Sequence, residues 1–201
     1  MWHPAPRAVE AGLRDDARVE SASCFVRLAT VDDGPAIGEA HAAAWQTGFE
    51  HMLDSEFLHR AVTGRREGWP FAIRHLLSLS NVVLVAGYED RVLAFSNSGP
   101  PDDGTTMEIF AFYCHPDVWG TGLADSLMDE TCSVLSTAAG HAVLWTPEHA
   151  HRAHHFYERT GFRLTGRTRT EELSDWGSSP TFAEVPAVEY QRELSPKTAV
   201  P

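Results

Sequence analysis

The segment Met107–Met128, MEIFAFYCHPDVWGTGLADSLM, is the feature that most limits the fold. Met107–Cys114 is rich in β-formers and reads as a buried strand. A turn with Gly120 and Gly122 follows, and then Leu123, Leu127, Thr131, Val134 and Leu135 recur at helical spacing. Glycines at 120 and 122 let backbone N–H groups point into one concavity. A helix starting near Gly122 adds orphan donors and the positive end of its dipole. Together these suit a pyrophosphate or another anion. No Lys or Arg lies between Met107 and Met128, so such an anion would be held by the backbone. The segment is not a Walker loop, and Asp125 breaks a full dinucleotide fingerprint. Taken on the glycines alone, an ordinary strand–turn–helix connection reads equally well.

The flanking sequence fits this strand and helix into a mixed sheet. Cys24–Ala29 alternates and reads as a strand. Thr30 and Asp33 have capping-box spacing, and Ile37, Ala40, His41, Ala44 and Trp45 continue with helical periodicity. A second helix is expected over 55–66. Asn81–Glu89 and Val92–Ser98 flank Asp90-Arg91 and read as a hairpin. Ala142–Thr146 is a short strand, His149–Arg159 a helix stopped by Gly161, and strands follow near 162–169 and 187–194. The fold class is therefore α/β, an α+β layout with a partly antiparallel sheet. Residues 1–22 read as a flexible leader, 23–194 as one domain and 195–201 as a tail.

Composition excludes several partners. The 201 residues carry 16 Lys and Arg against 28 Asp and Glu, a formal charge of −12. A nucleic-acid partner needs a dense basic face, so none is expected. The acidic balance leans toward a cationic substrate by steering. Cys24, Cys114 and Cys132 are sparse and lack zinc-ligand spacing, so no metal is expected and a reducing compartment fits. No apolar run spans a bilayer, and the N-terminus lacks a secretory signal pattern. The chain is expected to be soluble and cytoplasmic, with no membrane partner.

A second stretch, LWTPEHAHRAHHFYERTGF over 144–162, carries Arg152-Ala153, then Phe156-Tyr157, then Gly161-Phe162. Read alone, Tyr157 is either a packing residue or a phenol able to donate a proton. His149, His151, His154 and His155 form a cluster that reads as a solvated helix face or a pH-sensitive surface rather than a metal clamp.

With both stretches in view, the chain resembles the GNAT superfamily of acyl-CoA-dependent N-acyltransferases, over about residues 25–194. The family's Arg/Gln-x-x-Gly-x-Gly/Ala motif aligns with Trp119-Gly120-Thr121-Gly122-Leu123-Ala124, after His115-Pro116-Asp117. The motif Asn-x-Arg-Ala-x-x-Phe-Tyr-Glu-x-x-Gly-Phe aligns with residues 150–162, and Ala44–Phe49 is similar to a first-helix segment of the family. Trp119 stands where the family has Arg or Gln, and Ala150 where it has Asn.

The resemblance implies a central, mostly antiparallel sheet, flanked by helices and splayed between its fourth and fifth strands. It implies acetyl-CoA as cosubstrate. Phe112, Tyr113 and Cys114 would meet the pantetheine, as in strand addition. The backbone of Trp119, Gly120, Thr121, Gly122, Leu123 and Ala124 would hold the pyrophosphate, with Ala153 and Tyr157 completing the donor site. The expected catalytic groups are Glu108 as base, directly or through water, the Cys114 N–H as oxyanion donor and Tyr157 as acid to the thiolate. Cys114 is not expected to act as a covalent nucleophile. Trp45 and Phe49, with Glu108, would meet the acceptor. That acceptor is expected to be a primary amine of a small molecule, cationic or antibiotic-like. The other readings are a protein or peptide N-terminal acetyltransferase and a non-catalytic acyl-CoA-binding module. A homodimer is compatible with the resemblance, since members often pair through sheets or C-terminal strands.

Overall fold

The structure is a computed structural model that describes residues 23–79, 81–100 and 106–195. The leader expected over 1–22 and nearly all of the expected tail lie outside the described residues. The chain runs β1 (Cys24–Leu28), α1 (Gly34–Gly48), α2 (Ser55–Ser78), β2 (Val82–Tyr88), β3 (Arg91–Gly99), β4 (Met107–Cys114), α3 (Leu123–Leu135), β5 (His141–Pro147), α4 (His151–Arg159), β6 (Arg163–Ser174) and β7 (Phe182–Glu193). One seven-stranded sheet results, in the order β1-β2-β3-β4-β5-β7-β6. Every neighbouring pair is antiparallel except β4 and β5. The mixed α/β sheet with flanking helices is the expected fold class.

Alternation along the strands sends apolar side chains to both faces. On one face Val83, Val85 and Phe95 pack with Ile37, Trp69 and Ile73 of α1 and α2. On the other, Leu84 and Ala94 meet Leu123 and Leu127 of α3, and Ile109 and Leu144 meet Met128, Tyr157 and Phe162.

Two local expectations need adjusting. Asp33 does accept from the Thr30 N–H at 2.7 Å and the Thr30 hydroxyl at 3.1 Å. It first closes a short 3-10 turn, Val31–Asp33, and α1 starts after it at Gly34. The Arg27 guanidinium grips the same carboxylate at 2.7 Å and holds it below its ordinary range. Helix α2 continues twelve residues beyond the expected Arg66, through Gly68 and Pro70 to Ser78. The breakers in this stretch serve close packing instead. A Cβ at Gly64 would collide with the Asp175 carbonyl, so the helix lies directly against the segment between β6 and β7.

The parallel pair β4/β5 is the exceptional part of the sheet. It is joined only at Met107, Glu108 and Ile109, opposite Ala142, Val143 and Leu144. Next along β4 the register against β3 slips by one residue: Ser98 faces Ile109, but Asn97 faces Ala111. Phe110 is thus an extra residue, a β-bulge, and it is exposed. A bulge bends and over-twists its strand. Beyond it, β4 and β5 diverge, while each stays paired to its outer neighbour through Cys114 and Pro147.

Candidate active site

The divergence opens a cavity of about 890 Å3. Its floor is Ile109–Cys114 of β4 and Trp145–Pro147 of β5. Trp119–Gly122, Ala124 and Asp125 line one part of it, Thr47–Phe49, His51 and Met52 another, and α4 forms a side wall.

Ladder geometry fixes which backbone groups face the gap. The His115 N–H donates to the Leu93 carbonyl at 2.8 Å, so the pair Ala94/Cys114 inside it is a non-hydrogen-bonded pair. Alternation then makes Tyr113 point its N–H and C=O at β3, and Phe112 and Cys114 point theirs away, into the gap. The Cys114 carbonyl is taken by the Trp119 indole N–H at 3.1 Å. The Cys114 N–H and both Phe112 groups have no partner among the described residues.

The turn after β4 sorts its amides in the same way. Val118, Trp119 and Thr121 donate to carbonyls within the turn, at 3.1, 3.1 and 3.3 Å. The Thr121 hydroxyl donates to the Val118 carbonyl at 2.9 Å and accepts from Tyr88 at 3.0 Å, which ties the turn to β2. Leu123 N–H reaches the Thr121 hydroxyl at 3.4 Å. The amides of Gly120, Gly122, Ala124 and Asp125 remain unused among the described residues. Gly120 and Gly122 sit at φ +81° and +88° with open space where a Cβ would be. It is the left-handed backbone that requires glycine there, not crowding.

Tyr157 lies on the wall at 8% exposure, and its hydroxyl has no hydrogen-bond partner among the described residues. Burial pushes its pKa well above the ordinary phenol value, with Tyr113 and Cys114 nearby adding to the shift, so it stays protonated at neutral pH. Burial likewise pushes the Cys114 thiol up to about 12, which leaves little thiolate for nucleophilic attack.

The other expected site residues are distributed unevenly. Phe112, Tyr113, Ala153 and Phe49 are on the wall, and Leu123 is buried beneath it. Trp45, at 2% exposure, is off the wall and stacks on Phe49 with ring centroids 4.3 Å apart. It belongs to a buried polar–aromatic bed behind Tyr113, with the Arg65 guanidinium over its ring. In that bed Trp69 donates to His41 Nδ1 at 2.8 Å. Burial, then the Arg65 charge, keeps His41 well below its ordinary pKa and therefore neutral, and burial brings Arg65 down to about 10. Glu108 is not on the wall. Its carboxylate lies 3.7 Å from the Arg169 guanidinium. Arg169 in turn covers the ring of Trp145, which is on the wall.

Arg152, Arg159, His51, His151 and His155 also line the wall, though none is among the expected site residues. The histidine cluster divides. His151 and His155 face the cavity, whereas His154 is tied down, with Nε2 3.0 Å from the Pro147 carbonyl and Nδ1 2.8 Å from the Tyr190 hydroxyl. A carbonyl can only accept, so Nε2 carries the proton. Among the described residues no group of His, Cys, Asp and Glu is arranged to hold a metal ion. No helix among them is long and apolar enough to cross a membrane.

Residues 49–162 match the model of the acetyltransferase (GNAT) family. The chain belongs to that family. Uncharacterized N-acetyltransferases of Mycobacterium tuberculosis and Mycobacterium bovis are each 33% identical to it over 103 residues. That match covers 49% of this chain and 63% of each relative, so the chain spans less than two thirds of their length. Among solved structures, the PaiA N-acetyltransferase of Thermoplasma acidophilum in complex with coenzyme A is similar, with a TM-score of 0.67 and 12% identity. The alignment covers 86% of this GNAT chain and 99% of that one. The yncA protein of Salmonella typhimurium, solved with its cofactor acetyl-CoA, gives a TM-score of 0.56 and 19% identity, over 89% and 97% of the two chains. At these identities the likeness is one of fold.

Proposed function

We propose that this chain is an N-acetyltransferase that moves an acetyl group from acetyl-CoA directly to the primary amine of a small molecule. The observation that carries the reading is the pairing of an open parallel gap with unused main-chain donors along it. Pantetheine would lie in the gap as a missing strand against Phe112 and Cys114. The diphosphate would sit on the amides of Gly120, Gly122, Ala124 and Asp125 at the start of α3. The fold neighbours solved with coenzyme A and acetyl-CoA support this donor.

The chemistry follows from what each group has to do. An alkyl ammonium has a reference pKa of about 10.4, so the acceptor must lose a proton before attack. Glu108 is off the wall, so it takes that proton through water. The neutral nitrogen adds to the thioester carbonyl, and the oxyanion is met by the Cys114 N–H. Collapse of the tetrahedral adduct breaks the C–S bond, and the adduct nitrogen gives up its extra proton, which passes through water to restore the Tyr157 phenol once that phenol has protonated the leaving group. The thiolate takes its proton from Tyr157, whose buried phenol is kept protonated for that step.

The walls refine the acceptor. Phe49, His51 and Met52 after α1, with Trp145 on the floor, give an aromatic, apolar and imidazole surface. Asp125 is the sole carboxylate on the described wall, and Arg159 neutralises it at 2.7 Å. The acidic balance of the chain can draw a cation in, but the local surface favours an amine on an aromatic or apolar body.

A thiol-release assay with acetyl-CoA across a panel of amines tests this reading. Aryl-alkyl amines are expected to turn over faster than polyamines. Absence of both acetyl-CoA binding and thiol release with every amine of the panel would refute it. Glu108→Gln is expected to lower kcat about 10- to 100-fold at neutral pH. The loss should shrink as pH rises toward the amine's own pKa.

A further inference from the structure

We propose that Arg152 is a binding residue for the donor's phosphates, a cation that α4 lends to a turn whose own sequence has none. The inference rests on the acetyl-CoA reading above. The anion-facing amides lie within a segment that lacks Lys and Arg from Met107 to Met128. Amides alone bind a multiply charged diphosphate without cancelling its charge, and Asp125 adds an opposing carboxylate beside them. The fold answers both needs from one helix.

Arg159 pairs with Asp125 at 2.7 Å and removes its charge from the account. Arg152, two helical turns earlier, lines the same cavity as Trp119–Gly122. It has no carboxylate partner among the described residues. Its guanidinium lies over the Trp119 ring, 4.1 Å from the centroid. That indole is itself fixed by its N–H bond to the Cys114 carbonyl.

A long, exposed side chain ordinarily loses much rotamer freedom on binding. Held flat on a fixed indole, Arg152 has already lost part of it and keeps its edge donors free. Trp119 is therefore a platform. It does not touch phosphate with a charge; it carries a residue that does. The chemistry recognised is a phosphate ester. Both the diphosphate and the 3′-phosphate of coenzyme A supply that chemistry.

The test is isothermal titration of the full chain with coenzyme A and with 3′-dephospho-coenzyme A, at two salt concentrations. Wild type is expected to bind coenzyme A. Arg152→Gln is expected to bind it about tenfold more weakly, with a shallower salt dependence, and Arg152→Lys to recover part of the loss. Trp119→Arg placed on Arg152→Gln is expected to restore binding, since the cation is then supplied from the turn. If both ligands weaken equally in Arg152→Gln, the diphosphate is the partner. If only coenzyme A weakens, the 3′-phosphate is. Arg152→Gln binding both ligands as wild type does, with the same salt slope, overturns the inference while the donor reading stands. Wild type binding neither ligand overturns the donor reading itself. Circular dichroism melting of each variant separates loss of fold from loss of affinity.

Discussion

The two ends of the cavity are built from different materials. At the proposed donor end most of the groups are main-chain, the Phe112 and Cys114 edge of β4 and the amides of Gly120, Gly122, Ala124 and Asp125, with Arg152 as the side chain added to them. Their directions follow from ladder register and two left-handed glycines. At the proposed acceptor end the groups are side chains from separate elements: Phe49, His51 and Met52 after α1, and Trp145 on β5. A backbone site is insensitive to most substitutions, whereas a side-chain site can be rewritten residue by residue. On the proposed reading, the difference would join a fixed donor to an adaptable acceptor within one fold.

The largest expected effect falls where the two ends meet. Tyr157→Phe keeps the ring in its apolar bed but removes the proton for the departing thiolate. Turnover should fall about 100-fold or more, with donor affinity within about twofold of wild type. Stopped-flow thiol release and calorimetry measure the two quantities separately. An unchanged kcat would remove Tyr157 from the chemistry.

Next comes the packing of α2 against the segment between β6 and β7. Asp175 accepts from the Thr181 hydroxyl and from the Gly177 and Thr181 amides, and Arg60 of α2 pairs with it at 3.2 Å. These contacts, led by the Thr181 hydroxyl, hold its pKa well below the ordinary carboxylate range. A depressed carboxylate contributes stability that is full above its unfolded value of about 3.9 and is lost as pH falls toward the folded value. Melting temperature should drop below about pH 4 in wild type and more gently in Asp175→Asn. At neutral pH, Asp175→Asn should cost about 2 kcal/mol.

At the donor end, Gly122→Ala forces a Cβ into the left-handed region, at a cost of about 1–2 kcal/mol. The turn should relax and coenzyme A binding weaken about tenfold or less, with the acceptor KM unmoved. The smallest effect is expected at the opposite end. His51→Ala should change the acceptor KM about threefold and leave donor affinity alone, since an exposed wall residue contributes modestly. If either variant moved both parameters alike, the division between the two ends would fail.

The same division decides how much the sequence reveals. The strand Met107–Cys114, the glycine pair and the helix after them are local features, and β4 has the boundaries expected from the residues alone. The bulge at Phe110 was hidden, because register is a property of two strands, and so was the sorting of amides into used and unused. The full length of α2 is not legible locally, since Gly68 and Pro70 are ordinary helix breakers. Their tolerance comes from packing against Trp176 and α1, residues distant in sequence. Arg152 and Arg159 could be read as charges on a helix, but nothing local pointed them at Trp119 and Asp125. Trp45 and Glu108 illustrate the acceptor end. Their residue types suited a site, but position off the wall is set by tertiary contacts: Phe49 stacks on one and Arg169 approaches the other.

The most direct test of the central claim is amide hydrogen exchange by NMR, residue by residue, with and without coenzyme A. Binding by the main chain should slow exchange at Phe112, Cys114, Gly120, Gly122 and Ala124. Tyr113, Trp119 and Thr121, already bonded within the protein, should change little. Saturating coenzyme A with no added protection at Cys114, Gly120 and Gly122 would contradict the account.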